Sequence, residues 1–152
     1  MPKIIIVSAC LVGINCRYDG TCSKIDKIVK MVIAGKAIPL CPELLGGLGI
    51  PRLGGEITIN NNNTKSVINK AGKDLTPFFE KGAQKTLEFA KILEADTAIL
   101  KARSPSCGYG KIYDGTFSGK LKEGNGLTSD LLSKNNIAIY NEGNFKEKFD
   151  QL

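Results

Sequence analysis

The run IIIVS at Ile4–Ser8 is short, continuous and rich in β-branched residues. Such a run is typical of a strand that is buried on both faces, as in a parallel sheet. Comparable segments follow at Ala37–Leu40, Thr97–Lys101 and Ile137–Tyr140. We therefore predict four strands that are separated by long connections.

Helical patterns fill those connections. Apolar residues at helical spacing predict a helix over residues 23–35 and a shorter helix over residues 128–134. The longest helix is predicted to begin at Thr76, an N-cap followed by Pro77, and to run to about Glu94. Strands that alternate with helices predict an α/β fold with a mainly parallel, Rossmann-like sheet flanked by helices.

One β-hairpin is predicted to interrupt this alternation. Its strands are Glu56–Asn60 and Lys65–Asn69, and its turn is the asparagine run at residues 61–63. Residues 111–126 are rich in glycine, so we expect contacts rather than local propensity to order them. We expect residues 1–152 to form a single domain.

The composition excludes several classes of catalytic site. The 152 residues include no histidine, which removes serine triads, Cys–His pairs and histidine-bearing zinc sites. The net charge of +6 is spread as single lysines, a pattern typical of a solvated surface. A transmembrane helix needs about 20 consecutive apolar residues, and no apolar run in the sequence approaches that length. We expect a cytoplasmic chain with no membrane partner.

The five cysteines are the residues that indicate chemistry. Cys10, Cys41 and Cys107 follow the first three predicted strands, and the ends of parallel strands meet at one edge of a sheet. Three thiols without histidine favour a soft-metal site, either zinc or an iron–sulfur cluster. Cys16 could add a fourth ligand, whereas Cys22 is more readily explained as incidental. The alternative is that these thiols are small buried hydrophobic residues.

Several motifs resemble those of one bacterial family that was long known only as a domain of unknown function. They read SACLVG at 8–13, CRYDG at 16–20, CPE at 41–43, RSPSCG at 103–108 and IYDGTFSG at 112–119. They keep the family's order from Lys3 to about Tyr140. The characterised members of that family are thiouracil desulfidases.

The resemblance implies a reaction and a cofactor. The reaction converts thiouracil and water to uracil and hydrogen sulfide without net redox change. In that family, three cysteines hold a 4Fe-4S cluster whose free iron binds the substrate sulfur. Carried over by motif, the ligands here are Cys10, Cys41 and Cys107.

The remaining site residues are assigned by their place in these motifs. Glu43 is the expected general base, with a pair to Arg52 as its alternative role. Ser104 is expected to orient water or substrate, or else to serve as a turn hydroxyl. The expected substrate-binding residues are Arg17, Asp19, Lys101, Arg103 and Tyr113. Asp19 could replace Glu43 as the base, and the two basic residues after the third strand could hold an anion.

Two further hypotheses remain open at this stage. The same family could act on a thiolated nucleotide or tRNA instead of a small-molecule nucleobase. A second class, an iron–sulfur or zinc-binding sensor or assembly protein without turnover, predicts four protein ligands and therefore requires Cys16.

Overall fold

The computed structural model describes residues 3–149, and the chain has two kinds of element there. The strands are β1 (Ile5–Ser8), β2 (Ala37–Leu40), β3 (Gly55–Ile59), β4 (Lys65–Asn69), β5 (Thr97–Ile99), β6 (Lys111–Tyr113), β7 (Leu121–Glu123) and β8 (Ala138–Tyr140). The helices are α1 (Asp26–Ile33), α2 (Pro42–Leu45), α3 (Thr76–Ile92), α4 (Leu127–Lys134) and α5 (Phe145–Phe149), and a 3-10 turn spans Ala9–Val12.

Four strands form one parallel sheet in the order β2-β1-β5-β8. β1 lies at its centre, where Ile6 pairs with Ile38 on one side and with Ala98 on the other. Every side chain of β1 is buried, as its continuous apolar sequence predicts. The predicted parallel α/β architecture is therefore confirmed.

The two faces of this sheet bury different helices. Ile5, Val7 and Ile99 pack on one face with residues of α1 and with Phe145 of α5. Ile6, Ala98 and Leu100 pack on the other face with residues of α3 and α4. Alternate residues of β1 thus enter opposite cores, as the two-residue period of a strand requires.

The two hairpins lie beside this three-layer body. β3 and β4 pair antiparallel, which confirms the predicted inserted hairpin, and Asn63 in its turn has a φ of 66°. β6 and β7 form a second antiparallel pair. Ile57, Val67 and Ile112 from the two hairpins pack with Leu75 and Phe79 in a third buried cluster.

Three local predictions need correction. Residues 111–126 contain the hairpin β6–β7. The sequence does not predict this hairpin, because strands of three residues are too short to show an alternating pattern. The glycine and proline residues of the segment 41–55 favour a loop, but this segment contains the short helix α2. Thr76 is the first residue of α3 rather than its N-cap, since its hydroxyl accepts a hydrogen bond from the Val67 N–H of β4 at 2.9 Å.

Among residues 3–149, no helix has the length and apolar character needed to span a membrane.

Candidate functional site

A cavity of about 650 Å³ lies where the central parallel strands end. β1, β2 and β5 are neighbours in the sheet, so their carboxyl ends open on the same edge. Cys10, Cys16, Cys41 and Cys107 all line this cavity. The fifth cysteine, Cys22, is half-buried and does not belong to the lining that the described residues form.

The backbone brings these thiols together from both sides of the sheet. Cys10 lies on the 3-10 turn directly after β1, and Cys41 lies between β2 and α2. Cys10 and Cys16 belong to the buried cluster around α1, whereas Cys107 belongs to the cluster around α3 and α4. Three predicted ligand positions therefore share one cavity, and Cys16 joins them.

Cys107 is held in place by two serine hydroxyl groups. The Cys107 N–H donates a hydrogen bond to Ser104 Oγ at 2.6 Å. The buried Ser8 hydroxyl donates to Cys107 Sγ at 3.4 Å and accepts from the Lys101 N–H at 2.8 Å. Within residues 3–149, the Ser104 hydroxyl donates no hydrogen bond. Ser8 connects β1 to the segment that follows β5.

Neighbouring thiols and burial raise the pKa of three of these cysteines. The pKa of Cys16 is raised to about 11, chiefly by its hydrogen bond with Cys10. The hydrogen bond between Cys16 and Cys41 lowers this pKa, and burial raises it further. The hydrogen bond with Cys16, and then burial, raises the pKa of Cys41 well above its usual range. Burial raises the pKa of Cys107 to about 12, although the Ser8 hydrogen bond lowers it. Because metal ligation requires thiolates, a cation that binds here must displace these protons.

Glu43 forms a partly buried ion pair at the edge of the cavity. One Glu43 carboxylate oxygen lies 3.1 Å from Arg52 Nη2 and accepts a hydrogen bond from Arg52 Nε at 3.2 Å. Arg52 also donates to the carbonyl oxygens of Cys16 at 3.0 Å and Gly49 at 2.9 Å. Burial raises the pKa of Glu43 above its usual value, and the Arg52 charge opposes that shift. The carboxylate therefore has a fixed orientation and more basic character than an exposed glutamate.

The predicted substrate-binding residues all line the cavity, in different environments. The Lys101 ammonium lies 2.7 Å from a Glu142 carboxylate oxygen, so its charge is already balanced. Arg103 is exposed, and Tyr113 is half-buried at the end of β6. Arg17 donates to Ser23 Oγ at 3.4 Å.

The Asp19 carboxylate stabilises the turn in which it lies. One of its carboxylate oxygens accepts hydrogen bonds from the Thr21 N–H at 3.1 Å and the Thr21 hydroxyl at 2.5 Å. The Thr21 hydroxyl and the adjacent backbone amides lower the pKa of Asp19. The structure thus gives Asp19 a turn-stabilising contact, and Glu43 has the more basic carboxylate.

Several residues of the site carry no clear signal in the sequence. Ser8 begins the motif at 8–13 and is a polar residue at the end of a buried strand, but neither feature identifies its contact with Cys107. Glu142 lies about forty positions from its partner Lys101 and has no such hint. The cavity lining also includes Glu56, which lies outside the quoted motifs, and Phe117, which lies in the motif at 112–119 but has no predicted role there.

The cysteine donors of the cavity fit an iron–sulfur cluster. Cysteine thiolates are the usual ligands of such clusters. Within residues 3–149, no group of three or more Cys, Asp or Glu side chains is arranged to hold one metal ion. A cluster is wider than an ion, so its ligands must line a cavity, and Cys10, Cys41 and Cys107 all line this one.

Fold and cavity together define an α/β protein with a cysteine-based site at the carboxyl edge of its parallel sheet. Residues 5–144 match the 2-thiouracil desulfurase family. This chain belongs to that family and is therefore an enzyme of the desulfurase class.

Two individual proteins are similar to nearly the whole chain. The uncharacterised protein YbbK of Bacillus subtilis strain 168 is 43% identical over 149 residues, which are 95% of this chain and 99% of that protein. Among solved structures, the 4Fe-4S-dependent thiouracil desulfidase TudS has a TM-score of 0.88 at 37% identity. The superposition covers 95% of this chain and 94% of TudS. The similarity to TudS therefore extends over nearly the whole length of both chains.

Proposed function

We propose that this protein removes sulfur from a thiolated pyrimidine nucleobase such as 2-thiouracil by hydrolysis. In the reaction, the C=S bond of the ring is replaced by C=O. Water supplies the oxygen, and its two protons leave with the sulfur as hydrogen sulfide. The observation that carries this proposal is the convergence of Cys10, Cys41 and Cys107 on one cavity in a chain that resembles TudS throughout.

Cys10, Cys41 and Cys107 would hold a 4Fe-4S cluster at the carboxyl edge of the sheet. When bound by three cysteines, the cluster supplies an iron without a protein ligand, which acts as a Lewis acid towards sulfur. The cysteine thiols that line the cavity and the cavity volume of about 650 Å³ support this assignment. Five free cysteines also fit the reducing cytoplasm, where we propose that the protein works.

Glu43 is proposed to act as the general base for the attacking water. Arg52 fixes the carboxylate through two nitrogens, and burial favours proton uptake. When the water transfers a proton to Glu43, its oxygen becomes a stronger nucleophile towards the ring carbon that carries the sulfur. Within residues 3–149 the Ser104 hydroxyl donates no hydrogen bond, so its proton can orient the water or the substrate carbonyl oxygen.

A thiolated nucleotide is the second candidate substrate. Arg17, Lys70 and Arg103 line the same cavity, and none of the three forms a salt bridge within residues 3–149. Cationic side chains of this kind can bind a phosphate group. Lys101 contributes less to such binding because Glu142 balances its charge.

The proposal is tested by anaerobic reconstitution followed by sulfide release. We expect about four irons and four sulfides per chain, and hydrogen sulfide in equal amount to the uracil formed from 2-thiouracil. Glu43→Gln should keep the iron content and reduce kcat by about 10²–10⁴-fold, the usual contribution of a general base. The same assay with 2-thiouridine and its 5′-monophosphate, and with thiolated tRNA, ranks the substrates by kcat/KM.

Cysteine variants separate the enzyme from a sensor with four ligands. Cys10→Ser, Cys41→Ser and Cys107→Ser should each lose the cluster, whereas Cys22→Ser, outside the cavity, should keep both iron and activity. Cys16→Ser should also keep the iron. Two results together would contradict the desulfidase proposal. They are loss of the cluster in Cys16→Ser, and no sulfide release from any substrate by cluster-loaded wild-type protein.

A further inference from the structure

The segment 113–119, within the motif IYDGTFSG, contributes Tyr113 and Phe117 to the cavity wall. Its backbone is held by hydrogen bonds to a residue of the other hairpin. Glu56, at the start of the hairpin β3–β4, also lines the cavity. One Glu56 carboxylate oxygen accepts a hydrogen bond from the Gly115 N–H at 3.0 Å and another from the Phe117 N–H at 3.1 Å. The Glu56 carboxylate thus links the two hairpins beside the site, in addition to the hydrogen bond that Lys122 Nζ donates to the Ile57 carbonyl oxygen at 3.1 Å.

The backbone at Phe117 is unfavourable for a bulky side chain. Its φ is 57°, a left-handed conformation that phenylalanine rarely adopts. Such a conformation persists only where the surrounding structure enforces it, and it occurs often at binding sites. The two hydrogen bonds to Glu56 enforce it here, and one of them holds the N–H of Phe117 itself.

Packing of the protein does not explain the Phe117 ring. Within residues 3–149, Phe117 belongs to none of the three buried clusters, nor to the half-buried residues packed against them. The side chain is half-buried, and what it lines is the cavity. An aromatic ring at the wall of a site for a flat heterocycle can stack on that heterocycle.

We propose that the Phe117 ring is the surface on which the flat ring of the substrate stacks, and that Glu56 is a positioning residue for it. This inference rests on the proposed function, because it assumes a planar nucleobase in the cavity. It assigns ring recognition to Phe117 and leaves the chemical step to the thiol side of the cavity.

Three Phe117 variants test the stacking role in cluster-loaded protein. Phe117→Leu removes the aromatic face, and Phe117→Asn also relieves the backbone, because asparagine tolerates positive φ. Both should raise KM for 2-thiouracil, and Kd for uracil, by roughly tenfold to a hundredfold, with iron content unchanged. Phe117→Tyr should retain wild-type values. Phe89→Leu, an exposed phenylalanine on α3, is the matched control.

The melting temperature distinguishes stacking from a merely structural role. Phe117→Asn should melt at or above the wild-type temperature while binding is weakened. A variant that melts well below wild type, or one that keeps KM and Kd within twofold, would overturn the proposal. Uracil binding is measured apart from turnover, so a wild type that binds uracil through Phe117 but releases no sulfide would contradict the proposed function alone.

Glu56 variants test the positioning role. Glu56→Gln retains a carbonyl oxygen that can accept both hydrogen bonds, so it should keep KM close to wild type. Glu56→Ala should raise KM as Phe117→Leu does, with a smaller effect on kcat. Combined with Phe117→Leu, it should add nothing, because both changes remove the same surface. Full additivity of the two variants would overturn the positioning role, and Glu123→Ala, an exposed glutamate of β7, is the control.

Discussion

At the scale of single residues, the Ser8 hydroxyl links the backbone to a thiol of the site. It donates to Cys107 Sγ at 3.4 Å and accepts from the Lys101 N–H at 2.8 Å. Hydrogen bonds to cysteine sulfur influence the reduction potential of an iron–sulfur cluster, because they stabilise negative charge on the ligand. Ser8 is therefore expected to affect both the fold and the electronic properties of a bound cluster.

Ser8→Ala should lower the reduction potential of the loaded protein without loss of iron. The removed donor no longer stabilises the reduced state, and the Lys101 N–H loses its acceptor at a cost of about 1–3 kcal/mol in stability. Protein-film voltammetry and urea unfolding measure the two effects. Ser133→Ala on α4, away from the cavity, should change neither, and an unchanged potential in Ser8→Ala would contradict the proposed contact with a ligand.

At the scale of elements, the position of α2 depends on its contact with α3. α2 lies between Cys41 and Gly46, and it carries Glu43. A Cβ atom added at Gly82 of α3 would collide with the Pro42 carbonyl oxygen, and one added at Gly46 would collide with the Phe78 carbonyl oxygen. The two glycines thus permit backbones to approach closely where side chains would separate them.

Gly82→Ala should destabilise the protein even though alanine favours helix formation. We expect overpacking to cost about 1–3 kcal/mol, against a helix-propensity gain of about 1 kcal/mol. Displacement of α2 should also reduce the rate of sulfide release, because Glu43 moves with it. Urea midpoints and kcat measure both effects, and Gln84→Ala, exposed on α3, serves as the control. A Gly82→Ala protein that is more stable than wild type would mean that α2 can move away freely.

At the scale of the whole molecule, the site connects the two cores that the sheet separates. Cys10 belongs to the core on the α1 face, and Cys107 to the core on the α3 and α4 face. A group bound by both residues, and by Cys41 after β2, would fasten both layers to the sheet edge. Ligands that bind only the folded state increase its stability.

Cluster loading should therefore raise the melting temperature of the entire chain as one transition. Anaerobic calorimetry of apo and loaded protein measures the shift, and removal of the cluster by a chelator should reverse it. Cys22→Ser should show the same shift as wild type, whereas Cys107→Ser should show none. Equal melting temperatures for apo and loaded wild type would indicate that the thiols do not hold the group in the folded protein.

Much of the fold follows from local patterns. The run Ile4–Ser8 predicts a doubly buried strand, and that strand is the centre of the parallel sheet. The predicted hairpin is present, with its second strand at Lys65–Asn69. The sequence does not predict the four-residue helix α2 or the three-residue strands β6 and β7. These elements are too short for a helical or an alternating pattern of apolar residues to repeat.

The sequence by itself determined the α/β class and the positions of Cys10, Cys41 and Cys107 after successive strands, since both depend on periodicity and order along the chain. Only the tertiary structure decided which side chains meet: Cys16 beside Cys10 and Cys41, and Lys101 with Glu142. It also established the Glu43–Arg52 pair, which the sequence offered as one of two roles for Glu43. The reason is physical. Local patterns specify which face of an element is buried, whereas a hydrogen bond or ion pair between distant residues depends on how the packed elements place two particular atoms.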